Sequence, residues 1–303
     1  MGYILTLVAS ARPVTEKHIK SIGQILSAYG VSYTSAMEWL DVEKACDIGI
    51  SSEPPFTLIE HLRETLRGDK IDFFVTSNKN RQKKLLLADM DSTIAEGETL
   101  DELAEHAGLK DKIATITALA MDGKLDFHQA IRERVELLKG LHTDALTQTL
   151  AKTKLNKGAE VFVQTMRRSG ATCVLVSGGF KFFTSAIAAQ CGFDFDHGNE
   201  LGIENNHLTG AVIDPILDKH AKVDFLKFYM EKLNLSPENC LTIGDGANDL
   251  PMLKMAGLGI GYHPKQAVQN EMKNCILYGD FTAALYAQGY SSATFKNTDP
   301  ALR

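Results

Sequence analysis

The chain has 303 residues, of which 44% are hydrophobic and 23% charged, with a formal net charge of −6 at pH 7. That length suits two domains, each with its own core, and the composition is that of an ordinary globular protein. The acidic balance argues against a general affinity for nucleic acid, and no apolar stretch approaches the length of a membrane span. The five cysteines (46, 173, 191, 240 and 275) are odd in number and lack C-x-x-C spacing, which predicts reduced core thiols rather than a disulfide framework. No charged leader precedes the first short apolar run, so the reading predicts no signal peptide and a cytoplasmic protein. Met1 to Thr6 matches the loose myristoylation pattern, but Tyr3 to Val8 reads better as a first strand.

Residues 1–79 form a self-contained pattern. Tyr3–Ala9 reads as a strand, and Val14–Tyr29 as a helix with Ile19, Ile22, Ile25 and Leu26 at helical spacing and Gly30 as its stop. Val31–Leu40 and Cys46–Ile50 read as paired strands, Pro55–Leu66 as a helix and Ile71–Val75 as a closing strand. The order βαββαβ is a ferredoxin-like unit. It resembles the ACT-type regulatory domains found beside amino-acid enzymes; a dimerisation or stability module without a ligand is the plainer alternative. The polar run from Ser77 to Gln82 reads as a linker.

The second domain, residues 83–303, begins with the continuous apolar run Leu85-Leu86-Leu87-Ala88, which suits a strand covered on both faces of a parallel sheet. It stops at Asp89-Met90-Asp91-Ser92-Thr93. Open α/β sheets bind ligands at the carboxyl ends of their strands, so both acids would face a site. About sixty residues of helical character follow. Thr99-Leu100-Asp101-Glu102 fits a capping box, and Asp126 with Gln129 caps a later helix that ends near Gly140. Helices inserted after a catalytic strand, about 96–158, read as a lid that excludes water. Two further apolar runs end as the first does. Cys173–Val176 stops at Ser177-Gly178-Gly179, and Leu241–Ile243 stops at Gly244-Asp245-Gly246-Ala247-Asn248-Asp249. Between them Lys222 opens a helical stretch whose Phe225, Leu226 and Tyr229 place it on an inward face. The polar tail from Ser291 is expected to fray.

The order Asp-x-Asp-x-Thr, Ser-Gly-Gly, Lys, Gly-Asp-Gly-x-Asn-Asp resembles the haloacid-dehalogenase-type phosphatases. The segments DMDST, GETLDELA, RVELLKGL, VSGGF and GDGANDLPML resemble, within them, the phosphoserine phosphatases, over roughly residues 83–285. The resemblance implies a Rossmann-like parallel sheet with a helical cap. It implies a Mg²⁺ enzyme in which Asp89 attacks phosphorus to form an aspartyl-phosphate and Asp91 is the acid/base, two roles that neighbouring carboxyls fill when their environments separate their pKa values. Mg²⁺ prefers oxygen ligands; the Asp89 and Asp245 carboxylates and the Asp91 backbone carbonyl would supply them, the last two carried over from the family. Asp249 either supports the metal, through water or by orienting Asp245, or serves as a helix N-cap. The absence of His or Cys clusters at ligand spacing argues against zinc.

Ser177 with the amides of Gly178 and Gly179 suits phosphoryl oxygens, because glycine lets the main chain come close to an anion. In the family, the residues matching Lys222 and Asn248 contact phosphate. Arg134 lies on the stripe Phe127, Ile131, Arg134, Leu138, where snorkelling is the ordinary reading. It matches the family's carboxylate-binding arginine, and Glu98 matches the residue that receives the ammonium group. Met121 and Phe127 would wall that pocket. The expectation is hydrolysis of O-phospho-L-serine to L-serine and phosphate. Two rivals stand beside it: a phosphatase or phosphotransferase acting on another small phosphomonoester, and a serine-sensing regulatory protein with a vestigial phosphatase half. The expected partner is the small substrate alone, with neither nucleic acid nor membrane; a homodimer is left open.

Overall fold

The computed structural model describes residues 2–121 and 125–295, apart from the side chains at 118–121, 127 and 219. The first unit runs β1 (Tyr3–Ala9), α1 (Glu16–Ala28), β2 (Glu38–Asp41), β3 (Ala45–Ile50), α2 (Phe56–Leu66) and β4 (Ile71–Ser77). Its strands make one antiparallel sheet in the order β2-β3-β1-β4, the ferredoxin-like arrangement. Ile22 and Leu26 of α1 and Leu58, Ile59 and Leu62 of α2 cover the sheet residues Leu5, Leu7, Ile48 and Ile50.

The strand expected over Val31–Leu40 is shorter than its composition suggested. Only Glu38–Asp41 forms a ladder, while Thr34 N–H bonds to Gly49 O (2.8 Å) and Ser35 Oγ accepts Gly49 N–H (2.8 Å). A serine hydroxyl that takes a backbone donor competes with the ladder. The polar segment expected to be a linker is also pinned. The Arg81 guanidinium grips Asp47 at 2.5 and 2.7 Å, takes Thr6 Oγ1 at 2.8 Å and reaches the carbonyls of Ala287 and Tyr286 at 3.1 and 3.2 Å. Nearby, buried Asp72 accepts the N–H groups of Leu277 (2.8 Å), Tyr278 (3.2 Å) and Gly279 (2.7 Å). These contacts join the first unit to the second.

The second unit continues with β5 (Leu85–Ala88), α3 (Thr99–His106), α4 (Lys110–Met121), α5 (Phe127–Glu136), α6 (Asp144–Lys152), α7 (Ala159–Arg168), β6 (Thr172–Phe180), α8 (Lys181–Cys191), β7 (Phe195–Glu204) and β8 (His207–Ile213). It closes with α9 (Lys219–Lys232), β9 (Cys240–Gly244), α10 (Leu250–Met255), β10 (Leu258–Tyr262), α11 (Gln266–Gln269), β11 (Cys275–Ile276) and α12 (Thr282–Ala287). The seven-stranded sheet has the order β11-β10-β9-β5-β6-β7-β8 and is parallel except for β8.

β5 shows why its sequence does not alternate. Leu86 and Ala88 enter the core on one face, Leu85 and Leu87 the core on the other, and all four are fully buried. On either side of β5 lie β6 and β9, so the three polar strand ends converge at one edge. Between β5 and β6, α3 packs on α4 and α6, α4 on α5, and α5 reaches β8. All five cysteines are buried free thiols. No helix among the described residues is long and apolar enough to cross a membrane.

Candidate active site

After Ala88 the chain leaves the sheet in one wide turn, closed by Ala95 N–H on Met90 O (2.9 Å), with Ser92 in the left-handed region at φ 55°. The turn sends the two acids in different directions. Asp89 is buried and bonds to Lys222 Nζ at 2.6 Å; the same ammonium meets Asp249 Oδ1 at 2.5 Å. Carboxylate oxygens of Asp89, Asp245 and Asp249 all lie within 4.8 Å of one another. Gly244 must be glycine here, because a Cβ would sit 2.5 Å from the Asp249 carboxyl carbon. Asp249 stands at the N-cap position of α10, but its carboxylate turns inward to Lys222 and accepts Gly246 N–H (3.0 Å) instead of capping that helix.

Asp91 faces the other way. Its Oδ2 accepts Ser177 Oγ–H (2.9 Å), while Oδ1 accepts both the amide (2.9 Å) and the hydroxyl (2.8 Å) of Thr99. The expected capping box at Thr99 is therefore corrected. No side-chain cap comes from within α3, and the Asp91 carboxylate caps the helix from the strand end. Gly179 comes so close to Asp91 that a Cβ would lie 2.7 Å from Oδ2, and its N–H rests on Ser177 Oγ (2.7 Å).

Two lysines face the three clustered acids: Lys222 between Asp89 and Asp249, and Lys265 beside Asp245. Burial first, then Asp249, push the Asp89 carboxyl well above its ordinary pKa, with Lys222 opposing. Burial likewise raises Asp245, against the pull of Lys265. For Lys222, burial favours the neutral amine, but Asp249 and Asp89 outweigh it and hold the ammonium. Three convergent oxygen-donor carboxylates, with no sulfur or imidazole among them, fit a hard divalent cation.

Further out, Glu98 accepts Ser92 Oγ–H (2.8 Å). Although the residue is exposed on one side, burial of its carboxyl and the neighbouring Asp91 push its pKa to about 7; solvent on the open side tempers the size of that shift, not its direction. Arg134 is half-buried on α5, beside buried Ile131 and Leu138, and its Nε bonds back to Ala130 O (3.2 Å). Burial lowers its pKa, opposed by the fields of Asp101 and then Glu98.

Asn248 is exposed and leans on Asp249 (3.4 Å). The side chains of Met121 and Phe127, expected to wall the pocket, lie outside the described residues.

Three residues escaped the sequence reading. Thr99 reads in the sequence only as a cap. Lys265 follows the apolar run of β10 as the other polar residues follow theirs, a signal that was available; its Nζ lies 3.3 Å from Asp245. Asn199 gave no signal, since a lone asparagine on a strand reads as nothing in particular.

Acids gathered at the carboxyl edge of a parallel sheet, with helices inserted after its central strand, are the arrangement of an α/β hydrolase. Residues 86–254 match the family model of the haloacid dehalogenase-like hydrolases, and the chain belongs to that family. It is 43% identical over 187 residues to a phosphoserine phosphatase of Lactococcus lactis, covering 62% of this chain and 87% of that one. It is 41% identical over 194 residues to a phosphoserine phosphatase of Archaeoglobus fulgidus, covering 64% of this chain and only 56% of the longer relative. The crystal structure of a HAD family hydrolase from Salmonella enterica serovar Typhi superposes with a TM-score of 0.81 at 26% identity, covering 94% of this chain and 98% of that one.

Proposed function

We propose that the chain hydrolyses O-phospho-L-serine to L-serine and phosphate, with Mg²⁺, through an aspartyl-phosphate on Asp89. The observation that carries this reading is the opposite aim of the two acids: Asp89 faces Lys222 and the carboxylate cluster, Asp91 faces Ser177. Asp89 attacks phosphorus as the seryl oxygen–phosphorus bond breaks, and Asp91 gives its proton to the departing oxygen. In the second half Asp91 takes a proton from the attacking water, which releases phosphate and frees Asp89. Ser177 and the Gly178 and Gly179 amides hold phosphoryl oxygens, Lys222 and Asn248 offset their charge, and Asp249 fixes Lys222 and the metal acids. Asp89, Asp245 and the Asp91 carbonyl would hold Mg²⁺, which supplies the positive charge that lets one anion approach another. Glu98 receives the substrate ammonium and Arg134 its carboxylate.

We further read 1–79 as an ACT-like domain, 83–303 as the phosphatase domain and about 96–158 as its cap. The relatives named phosphoserine phosphatase support the substrate, and the intact set Asp89, Asp91, Ser177, Lys222 and Asp245 argues against a vestigial site. The test is phosphate release from a panel of phosphomonoesters, with and without Mg²⁺ and with and without an alcohol acceptor. O-phospho-L-serine should give the highest kcat/KM, only with Mg²⁺. A better substrate elsewhere in the panel, or transfer to the alcohol, would replace this reading by its nearest rival, and absence of phosphate release from every ester would favour the sensor.

A further inference from the structure

Asn199 is almost fully buried on β7, opposite Phe180 of β6, and every polar atom of its side chain is engaged. Its Nδ2 donates to Gly178 O (2.8 Å) and, at greater length, to Leu217 O (3.4 Å); its Oδ1 accepts Leu217 N–H (2.7 Å). Two carbonyls and one amide as partners fix which end of the side chain is nitrogen.

The Gly178–Gly179 peptide is trans, so its carbonyl and N–H point in opposite directions across one rigid plane. Holding the carbonyl from behind therefore aims the Gly179 N–H forward. There it meets Ser177 Oγ (2.7 Å), whose own proton goes to Asp91 Oδ2 (2.9 Å). The hydrogen bonds run in one sense from Asn199 through the peptide and Ser177 to Asp91, an alignment in which each bond polarises the next. The Leu217 end matters as well. Leu217 precedes Asp218, the residue that caps α9 through His220 and Ala221 N–H, and α9 carries Lys222.

We infer that Asn199 is a positioning residue for phosphoryl transfer: it fixes the Gly178–Gly179 peptide, whose N–H holds Ser177 Oγ in place, and ties that loop to the helix bearing Lys222. This rests on the proposed reading of the Ser177 loop as the phosphoryl site. Glycine makes the arrangement dependent on an outside hold, because nothing in a Gly-Gly pair resists rotation of the peptide between them.

Asn199→Asp is the discriminating variant. It keeps the Leu217 N–H acceptor and nearly the same shape, but sets an oxygen against Gly178 O where the donor stood. Inorganic phosphate is the probe, titrated calorimetrically into the full chain with Mg²⁺, alongside thermal melting. Phosphate affinity should fall roughly 10- to 100-fold, the scale of one lost hydrogen bond to a charged group. kcat/KM should fall alike for phosphoserine and p-nitrophenyl phosphate, since both present the same phosphoryl group. A folded Asn199→Asp protein that binds phosphate as wild type does, whatever its melting temperature, overturns the inference. If that variant does not fold, the wild-type chain decides: the Gly179 ¹H–¹⁵N signal should move on saturation with phosphate, and an unmoved signal overturns the inference too. Wild-type protein that fails to bind phosphate at all would refute the underlying site reading instead.

Discussion

The carboxylate of Asp91 takes both the amide and the hydroxyl of Thr99, at 2.9 and 2.8 Å, and so binds the proposed acid/base to the first residue of the inserted helices. Thr99→Val removes the hydroxyl and keeps the amide. We expect kcat on phosphoserine to drop roughly 3- to 30-fold, the effect of one hydrogen bond. The drop should be smaller for p-nitrophenyl phosphate, whose phenolate departs without a proton. Equal losses on both esters would show that Thr99 supports the fold and not the acid.

Arg134→Ala should separate substrate choice from phosphate chemistry. A charge-assisted contact contributes about 1.5–3 kcal/mol, so kcat/KM for phosphoserine should fall about tenfold to a few hundredfold. Part of that loss will appear in kcat, because remote binding also orients the reacting end. p-Nitrophenyl phosphate has neither carboxylate nor ammonium and should lose little. Parallel losses would remove the residue-level support for phosphoserine.

Much of this site was legible because a buried parallel strand leaves a plain signature. Leu85–Ala88, Cys173–Val176 and Leu241–Ile243 are buried on both faces and stop abruptly at polar residues, so the ends of β5, β6 and β9 could be read directly. The partners of those ends could not. Asn199 reaches Gly178, Asp72 reaches the 277–279 backbone and Arg81 spans Asp47 and Tyr286, contacts that depend on which surfaces fold together and not on local pattern. Within the polar connecting segment, Arg81 is drawn out of solvent, because an acid waits for it across the interface.

Adding Mg²⁺ should stabilise the metal-free protein, since Asp89, Asp245 and Asp249 are crowded in the native state alone. At a hundredfold excess over Kd the gain is about 2.7 kcal/mol. Melting temperature against Mg²⁺ concentration checks this, and a Tm indifferent to Mg²⁺ while activity depends on it would place the metal with the substrate and not on this cluster.

At the junction of the two units, Asp72→Ala leaves the N–H groups of Leu277, Tyr278 and Gly279 without their acceptor. Orphaning three half-buried donors at about 1 kcal/mol or more each should cost roughly 3 kcal/mol or more, which chemical denaturation reads directly. Burial pushes Asp72 up to about 6, against the lowering by those three amides. The native state then holds a proton that the unfolded chain has already released, so this residue's contribution to stability declines as pH rises from about 4 to about 6 and is flat above. Asp72→Ala should lack that decline. An unchanged pH–stability curve would mean that another group sets it. A chain beginning near Arg81 loses the same acceptor and should retain Mg²⁺-dependent activity, because no proposed catalytic residue precedes Asp89, but should melt at lower temperature.

Asp89 as the nucleophile is the centre of the account. Asp89→Asn should fold, still pair Lys222 with Asp249, and show no turnover, because an amide neither attacks phosphorus nor offers the metal a charge. The most direct measurement traps the wild-type enzyme during turnover of O-phospho-L-serine with Mg²⁺, reduces the quenched protein with borohydride, and maps the product by mass spectrometry. An aspartyl-phosphate is reduced to homoserine, so the account predicts homoserine at position 89, only when substrate is present and never in Asp89→Asn. Homoserine at another aspartate, or active turnover in the Asn variant, would contradict it.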